Sequence, residues 1–387
     1  MRVLVTMQPA FGHLHPLVPL CQALIGAGNE VAIAAAESFR PQVDATGIEA
    51  LPAGIDWLES ELSAFPDYEE HRARGESKAF LQSEIFGWRT ARAMARDVEA
   101  IARERKVDVV MREPWEFGGA IAATTLGIPC VLHGIGARAN VEEILTLASG
   151  RLSQHAETLG IADDPVEWLG GALYIDPCPP VVQSSSAWFR PSSHQLVRPQ
   201  LFDTTDGSPD PPAWLATPRD RPRVYVGLGT VMNRWHGLLR RIVAEVARLD
   251  LEVVATTGPG ADPADLGDQP ANVHVERYIP LTTLLPHCDA VVCHAGWGTT
   301  IAALAHGLPI VAVPLGADGP RTAARCEEAG IGRAVQVDDV GTGRLADAIA
   351  DVVANPRFKS AAEAARRQIE QMPPPAAAVK TIESLTR

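Results

Sequence analysis

Short runs of β-branched and other apolar residues alternate with longer stretches of mixed polarity along most of the chain. "RVLVTM" (Arg2–Met7) is the first such run and predicts a buried strand. Pro16 then opens "PLVPLCQALIGAG", since proline suits the first helical position and Gly26 and Gly28 suit a helix end. Further strands are predicted at "EVAIAAA" from Glu30, "GIEALPA" from Gly47, "VDVVM" (Val107–Met111) and "IPCVLHG", with the helix "EFGGAIAATTLG" between the last two. The polar, aromatic-spotted stretch from Asp56 to Arg105 predicts mostly helix with an irregular start.

The pattern then restarts. "RVYVGLGT" (Arg223–Thr230), "LEVVATTG", "NVHVERYIP", "CDAVVC" (Cys288–Cys293) and "LPIVAVP" predict strands, with the helix "HGLLRRIVAEVARL" after the first. Between the halves lies the proline-rich "FDTTDGSPDPPAWLATPRDRP", a linker composition. The expected organisation is residues 1–202, a linker over 203–222, and residues 223–387. Packing of the last predicted helix, "PRFKSAAEAARRQIEQM", back on the first half is left open. Repeated β-α units predict an α/β class: two Rossmann-like, doubly wound parallel sheets facing across a cleft. Ligands in such sheets sit beyond the carboxyl ends of the strands, where the strand order switches. With order 3-2-1-4-5 that brings "QPAFGHLH" near "REPWE" in one half and "GLGT" near "CHAGWGTT" in the other.

Composition narrows the partners. The chain of 387 residues is 46% hydrophobic and 21% charged, with a net charge of −13. That argues against nucleic acid and against an anionic membrane surface. Six scattered cysteines without a C-x-x-C pair read as buried free thiols. The start "MRVLVTMQPAFGH" lacks the long apolar run of a signal peptide, and no apolar run is long enough to cross a membrane, so a cytoplasmic location is expected.

The candidate chemistry sits in the loops that the topology selects. "HAGWGTTIAALAHGLP" is a strand-to-helix turn: Gly296 and Gly298 permit close backbone approach, Thr299 and Thr300 can cap the helix, and its free amides attract an anion. His294 adds a donor and an optional charge, and Thr230 a hydroxyl from the facing loop. The bland alternative is an ordinary glycine turn. P-loop and dinucleotide fingerprints are missing, and so is any D-x-D, which argues against a magnesium-clamped diphosphate. Asp318 can bond sugar hydroxyls or simply cap a helix. In "QPAFGHLHPLVPL", Pro16 makes His15 the neighbour of the helix cap and leaves His13 in the loop. The two then diverge, and no third ligand has suitable spacing, so a metal pair is not expected. His13 suits proton abstraction from an alcohol, with Glu113 as its orienting partner and Asp108 a poor second. Glu113 can equally be a solvated loop charge.

At these residues the chain resembles the GT-B glycosyltransferases that decorate natural products in actinomycetes. "GHLHPLVPL", "GLGTV", "RYIP", "CHAGWGTTIAALAHGLPIVAVP" and "GAD" fall in that family's order and spacing over nearly the whole chain. The resemblance implies transfer of a sugar from a nucleotide diphosphate (TDP or UDP) to a hydroxyl of a small apolar aglycone. It implies inversion at the anomeric centre and no cofactor or essential metal. His13 matches the catalytic base; Thr230, His294, Gly298 and Thr299 match the diphosphate contacts; Arg277, Tyr278 and Ile279 lie where the nucleobase is held. Asp318 matches the acid of a sugar-binding Asp-Gln pair, whose second member is Gly319 here, which favours a deoxy or modified sugar, with Arg321 as a substitute. The first half is then the acceptor domain and the second the donor domain. Trp57, Phe65, Phe80, Phe86, Trp88 and Trp115 suggest an apolar acceptor pocket there, with core packing as the alternative. A homodimer is left open.

Two other classes compete. A nucleotide-sugar epimerase of the same fold needs no acceptor pocket, and the aromatic run speaks against it. A non-catalytic auxiliary partner of a glycosyltransferase needs neither His13 nor the phosphate loop. A dehydrogenase fails for lack of glycines in the first turn.

Overall fold

The apolar runs become parallel strands because both faces of each are covered. Val3 sits in register between Val31 and Val109, and the fully buried Val5 between Ile33 and Met111. The computed structural model describes every residue except 60, 162–167, 184–187, 190, 192, 204–209, 230–235, 259–260, 317 and 387.

The chain divides into two units. The first comprises Met1–Cys178, Gln183–Gln200 and Met372–Arg387. Its strands are β1 (Arg2–Thr6), β2 (Glu30–Ala35), β3 (Glu49–Pro52), β4 (Val109–Arg112), β5 (Cys130–His133), β6 (Leu173–Asp176) and β7 (His194–Leu196). They order as β3-β2-β1-β4-β5-β6-β7. The second unit comprises Pro179–Val182 and Leu201–Gln371. Its strands are β8 (Arg223–Gly227), β9 (Glu252–Thr256), β10 (Val273–Glu276), β11 (Ala290–Cys293), β12 (Ile310–Ala312) and β13 (Gly332–Ala334), ordered β10-β9-β8-β11-β12-β13. All named strand pairs are parallel. The strand order switches between β1 and β4 and between β8 and β11, as the sequence pattern predicts. β6, β7 and β13 are additions that the apolar pattern does not mark.

The first helix differs from expectation. It runs Phe11–Gly26, so it starts five residues before Pro16 and takes both His13 and His15 into its first turns. Ala10 is extended, and its carbonyl accepts the amides of His13 and Leu14 at 3.1 and 3.0 Å. Pro16 forfeits the bond that an amide there would make to the carbonyl of Gly12, at about 3 kcal/mol. Against that, Leu14, Leu17, Val18, Leu20 and Leu24 are fully buried on the inner face, each contributing about 1.5–3 kcal/mol. Packing therefore sets the start of this helix, and the proline is carried inside it.

Two further boundaries move. Much of the proline-rich stretch packs into the second unit. Trp214 there stacks on His274 at 3.9 Å, and Leu215 offers its carbonyl to the buried Arg223 at 2.9 Å. Arg223 is also held by both oxygens of Glu252, at 3.1 Å each. The predicted last helix, Pro356–Gln371, stays in the second unit. It is the next helix, Ala376–Ser384, that belongs to the first unit and packs on Phe11–Gly26. Asn29 Nδ2 donates to Glu383 Oε1 at 3.1 Å beside it. Among the described residues no helix is long and apolar enough to cross a membrane.

Candidate active site

His13 lies in the first turn of its helix, directly after β1, and is almost fully buried. Glu113 follows β4, the neighbour of β1, and is completely buried. His13 Nδ1 lies 3.0 Å from Glu113 Oε1, off the N–H axis, so the contact is an ion pair rather than an aligned hydrogen bond. The carboxylate is fixed by two amides: Gln8 N donates to Oε1 at 3.1 Å and Trp115 N to Oε2 at 2.7 Å. Beneath the loop, the buried Arg112 donates to the carbonyls of Glu113 and Glu116, at 3.1 and 2.9 Å, and to that of Leu169. The solvated-charge alternative for Glu113 does not apply. Asp108 bonds the amide of Arg2 at 2.6 Å, at the opposite end of the sheet from His13.

Two carboxylates at this site are not singled out in the sequence. Glu59 brings Oε2 to 3.2 Å from His13 Nε2, so the imidazole is flanked on both nitrogens. Burial by itself would lower the pKa of His13; the charges of Glu113 and Glu59 outweigh it, and the net pKa stands well above the ordinary 6.5. Glu116 caps the helix Gly118–Leu126 from inside the core. It accepts from Gly118 N at 2.5 Å, Gly119 N at 2.9 Å and the Thr6 hydroxyl, and burial raises its pKa. A capping glutamate two residues before a Gly-Gly helix start is a legible pattern in hindsight; Glu59, inside "ESE", is not.

The aromatic residues divide. Trp115 meets the His13 ring edge-on, with centroids 5.6 Å apart. Trp57, Phe65 and Phe86 are buried in the first unit's core, with Trp57 against both phenylalanines, so core packing claims them. Trp57 does line a cavity with room for about one water, together with Gln8, Thr90, Met94 and Glu116. Phe80 is stacked on His71 at 3.9 Å. Trp88 is engaged by the guanidinium groups of Arg92 and Arg151, at 4.8 and 4.9 Å, and by His155. Phe86 and Trp88 sit on Leu81–Thr90, which winds as a π-helix. Of the six, only Trp115 stands beside His13.

In the second unit, His294 follows β11 and precedes the helix Trp297–Ala305. Ala295 between them takes a left-handed conformation (φ 62°), a strained one for a residue with a Cβ. The turn lays the imidazole against Gly229 and Gly296. A Cβ on Gly229 would lie 2.6 Å from His294 Cε1, and one on Gly296 would collide with Nε2. Gly296 is thus required by the His294 ring, which fills the space that the sequence reading reserved for a ligand. Burial pushes the His294 pKa down to about 4, and Nδ1 has no partner among the described residues. The ring is neutral near pH 7 and supplies no charge, contrary to the option left open above.

Gly296 is the N-cap, and no side chain caps the helix. Thr299 and Thr300 lie inside it rather than at its cap. The amides of its first turn have no intrahelical partner, and beside exposed Gly298 there is open space, so an anion can approach. Thr230, the expected hydroxyl from the facing loop, lies outside the described residues.

Tyr278 donates its hydroxyl to the carbonyl of Asp203 at 2.8 Å, and burial raises its pKa. Asp203 also holds Thr282, accepting from its amide at 2.9 Å and its hydroxyl at 2.6 Å. Ile279 is buried, whereas Arg277 is exposed, with its carbonyl bonded to Gly258 N at 2.9 Å. Asp318 stands at the N-cap of the helix Gly319–Glu328 without making a side-chain cap bond. A Cβ on Gly319 would lie 2.7 Å from the His294 carbonyl oxygen. A glutamine at this position would require the backbone to shift, so the departure from the Asp-Gln pair is built into the turn around His294. Among the described residues no cluster of three His, Cys, Asp or Glu side chains is placed to hold a metal ion.

Residues 22–229 match the family described as erythromycin biosynthesis protein CIII-like, N-terminal domain, and residues 240–385 its C-terminal domain. The chain belongs to this family of glycosyltransferases. It is 30% identical to the TDP-daunosamine transferase DnrS of Streptomyces peucetius, over 100% of this chain and 97% of the relative. It is 33% identical to the L-demethylnoviosyl transferase of Streptomyces niveus, over 90% of this chain and 88% of the relative. The spinosyn rhamnosyltransferase SpnG complexed with thymidine diphosphate superposes with a TM-score of 0.81 at 26% identity, covering 99% of this chain and 100% of SpnG. The two parallel sheets are the two Rossmann-like halves of a GT-B fold, and the family is one of actinomycete natural-product glycosyltransferases.

Proposed function

We propose that this glycosyltransferase moves a sugar from a TDP-sugar to a hydroxyl of a small apolar aglycone, with inversion and with His13 as general base. The observation that carries the reading is His13 set against the buried, doubly held Glu113 at the strand-order switch of the first sheet. A histidine oriented by a buried carboxylate is the arrangement that lets an imidazole take a proton from a hydroxyl. Trp115 offers an apolar edge beside it for the acceptor.

Thymidine as the nucleoside follows DnrS, named for a TDP-sugar, and SpnG, solved with thymidine diphosphate. The departing diphosphate would lie at the N-terminus of the helix Trp297–Ala305, with the neutral His294 as a further N–H donor. Preorganised donors of this kind stabilise developing negative charge without reorganising. The proposed reaction uses no resident metal.

A panel of TDP- and UDP-sugars against aglycones, with products detected by mass spectrometry and their anomeric configuration read by NMR, tests the reading. The expected result is a glycoside formed from TDP-sugars, with anomeric configuration opposite to the donor's and a rate insensitive to chelator. A product that retains the donor's configuration would overturn the inverting mechanism. Thymidine diphosphate is expected to raise the melting temperature progressively with the logarithm of its concentration above Kd; no shift at millimolar ligand would remove the donor assignment.

A further inference from the structure

We propose that Glu59 is a positioning residue for the transfer: it holds the Nε2 side of His13 in the resting site and yields that place to the acceptor hydroxyl. This rests on His13 being the base. Glu113 takes Nδ1, so Nε2 is the nitrogen that must meet the acceptor. Glu59 Oε2 occupies the approach to it, at 3.2 Å.

The two carboxylates differ in how they are held. Glu113 has no exposed side-chain surface and accepts two amides. Glu59 retains 21% side-chain exposure, and no amide holds its carboxylate among the hydrogen bonds described. Its backbone, by contrast, is anchored. Its amide donates to the carbonyl of Pro9 at 3.3 Å, Leu58 bridges to Glu61, and Trp57 is locked against Phe65 and Phe86. The backbone at Glu59 is thus tied down, while its side chain has solvent to rotate into.

Both ring nitrogens face groups that, when ionised, only accept, so the resting imidazole carries two protons and cannot act as a base. When the acceptor hydroxyl displaces Glu59, the Nε2 proton leaves with that carboxylate and passes to water. The freed Nε2 lone pair then takes the hydroxyl proton. The acceptor oxygen bonds to the anomeric carbon, and the diphosphate departs with the electron pair of the broken C–O bond. The charged groups facing the ring are Glu113, from the loop after β4, and Glu59, from the segment after β3. Glu116 turns its oxygens to Thr6, Gly118 and Gly119. The helix Ala376–Ser384, packed on the His13 helix, engages Asn29 through Glu383, beyond the far end of that helix.

The test follows the His13 imidazole by 15N NMR through a pH titration of wild type and Glu59→Gln, with the resonance assigned by its loss in His13→Ala. Glu59→Gln is expected to lower the His13 midpoint by roughly one pH unit. The rising limb of kcat/KM, measured with the donor and aglycone pair selected by the panel assay, should fall by the same amount. The rate below the midpoint would then increase up to about tenfold. Superimposable titrations overturn the role of Glu59, as does a titration that moves while the rate limb stays. Full activity in His13→Ala would instead remove the base, and this inference with it.

Discussion

Two histidines follow two strands at equivalent switch points, and their pKa values are pushed in opposite directions. His13, after β1, stands between Glu113 and Glu59, and its pKa is raised. His294, after β11, stands between two glycines with no carboxylate against it among the described residues, and burial takes it down to about 4. Burial lowers the pKa of both rings; at His13 two carboxylates outweigh it, and at His294 it stands alone. A histidine meant to exchange protons near neutrality keeps a charge partner, whereas one meant to donate a fixed N–H is kept away from carboxylates.

The largest expected break in this comparison comes from His13→Ala. Its turnover should fall by roughly 10²–10⁴-fold, the usual contribution of a general base, while thymidine diphosphate still raises the melting temperature. Next comes His294→Ala, which removes a donor rather than a base. About a 10²-fold loss is expected, with weaker protection by thymidine diphosphate in the thermal-shift assay.

Stability against pH separates the pair by sign. His294 has a folded pKa below its unfolded value, so its contribution is present above about pH 6.5 and is lost as pH falls toward 4. The loss amounts to about 3 kcal/mol over that window. Chemical denaturation at pH 6.5 and pH 4 should show a smaller difference in His294→Asn than in wild type. His13 runs the other way: its raised pKa stabilises below the ordinary 6.5, and that contribution is lost as pH rises through its folded pKa. The smallest effect is that of Gly296→Ala, which sets a methyl against the His294 ring. A loss of about 1–3 kcal/mol is expected by denaturant titration, and His294→Ala in the same chain should relieve it.

Much of this was legible beforehand. Valine and isoleucine runs mark the central strands because both faces are buried, and the order of runs fixes where the sheets switch. "HQL" and "GRA" are three-residue edge strands, and "LYID", though buried between two strands, ends in a polar Asp176 and is only four residues long, so none stands out as an apolar run. Pro16 misplaces the first helix start because a propensity rule loses to the buried leucine face. The pairing of His13 with Glu113 follows from strand order alone. Glu59 could not be found that way: its position depends on how an irregular segment after β3 folds back to the carbonyl of Pro9. Gly296 and Gly298 read as openings for a ligand; Gly298 does face open space, but Gly296, like Gly229 and Gly319, makes room for His294. Which atom fills the space beside a glycine is a tertiary fact.

The division of labour between the two histidines meets its most direct test in one experiment: kcat/KM for the acceptor against pH, at saturating donor, for wild type, His13→Ala and His294→Asn. The rising limb should persist in His294→Asn at lower amplitude and vanish in His13→Ala. A limb that survives the loss of His13, or disappears with His294, would contradict the assignment of the proton to His13.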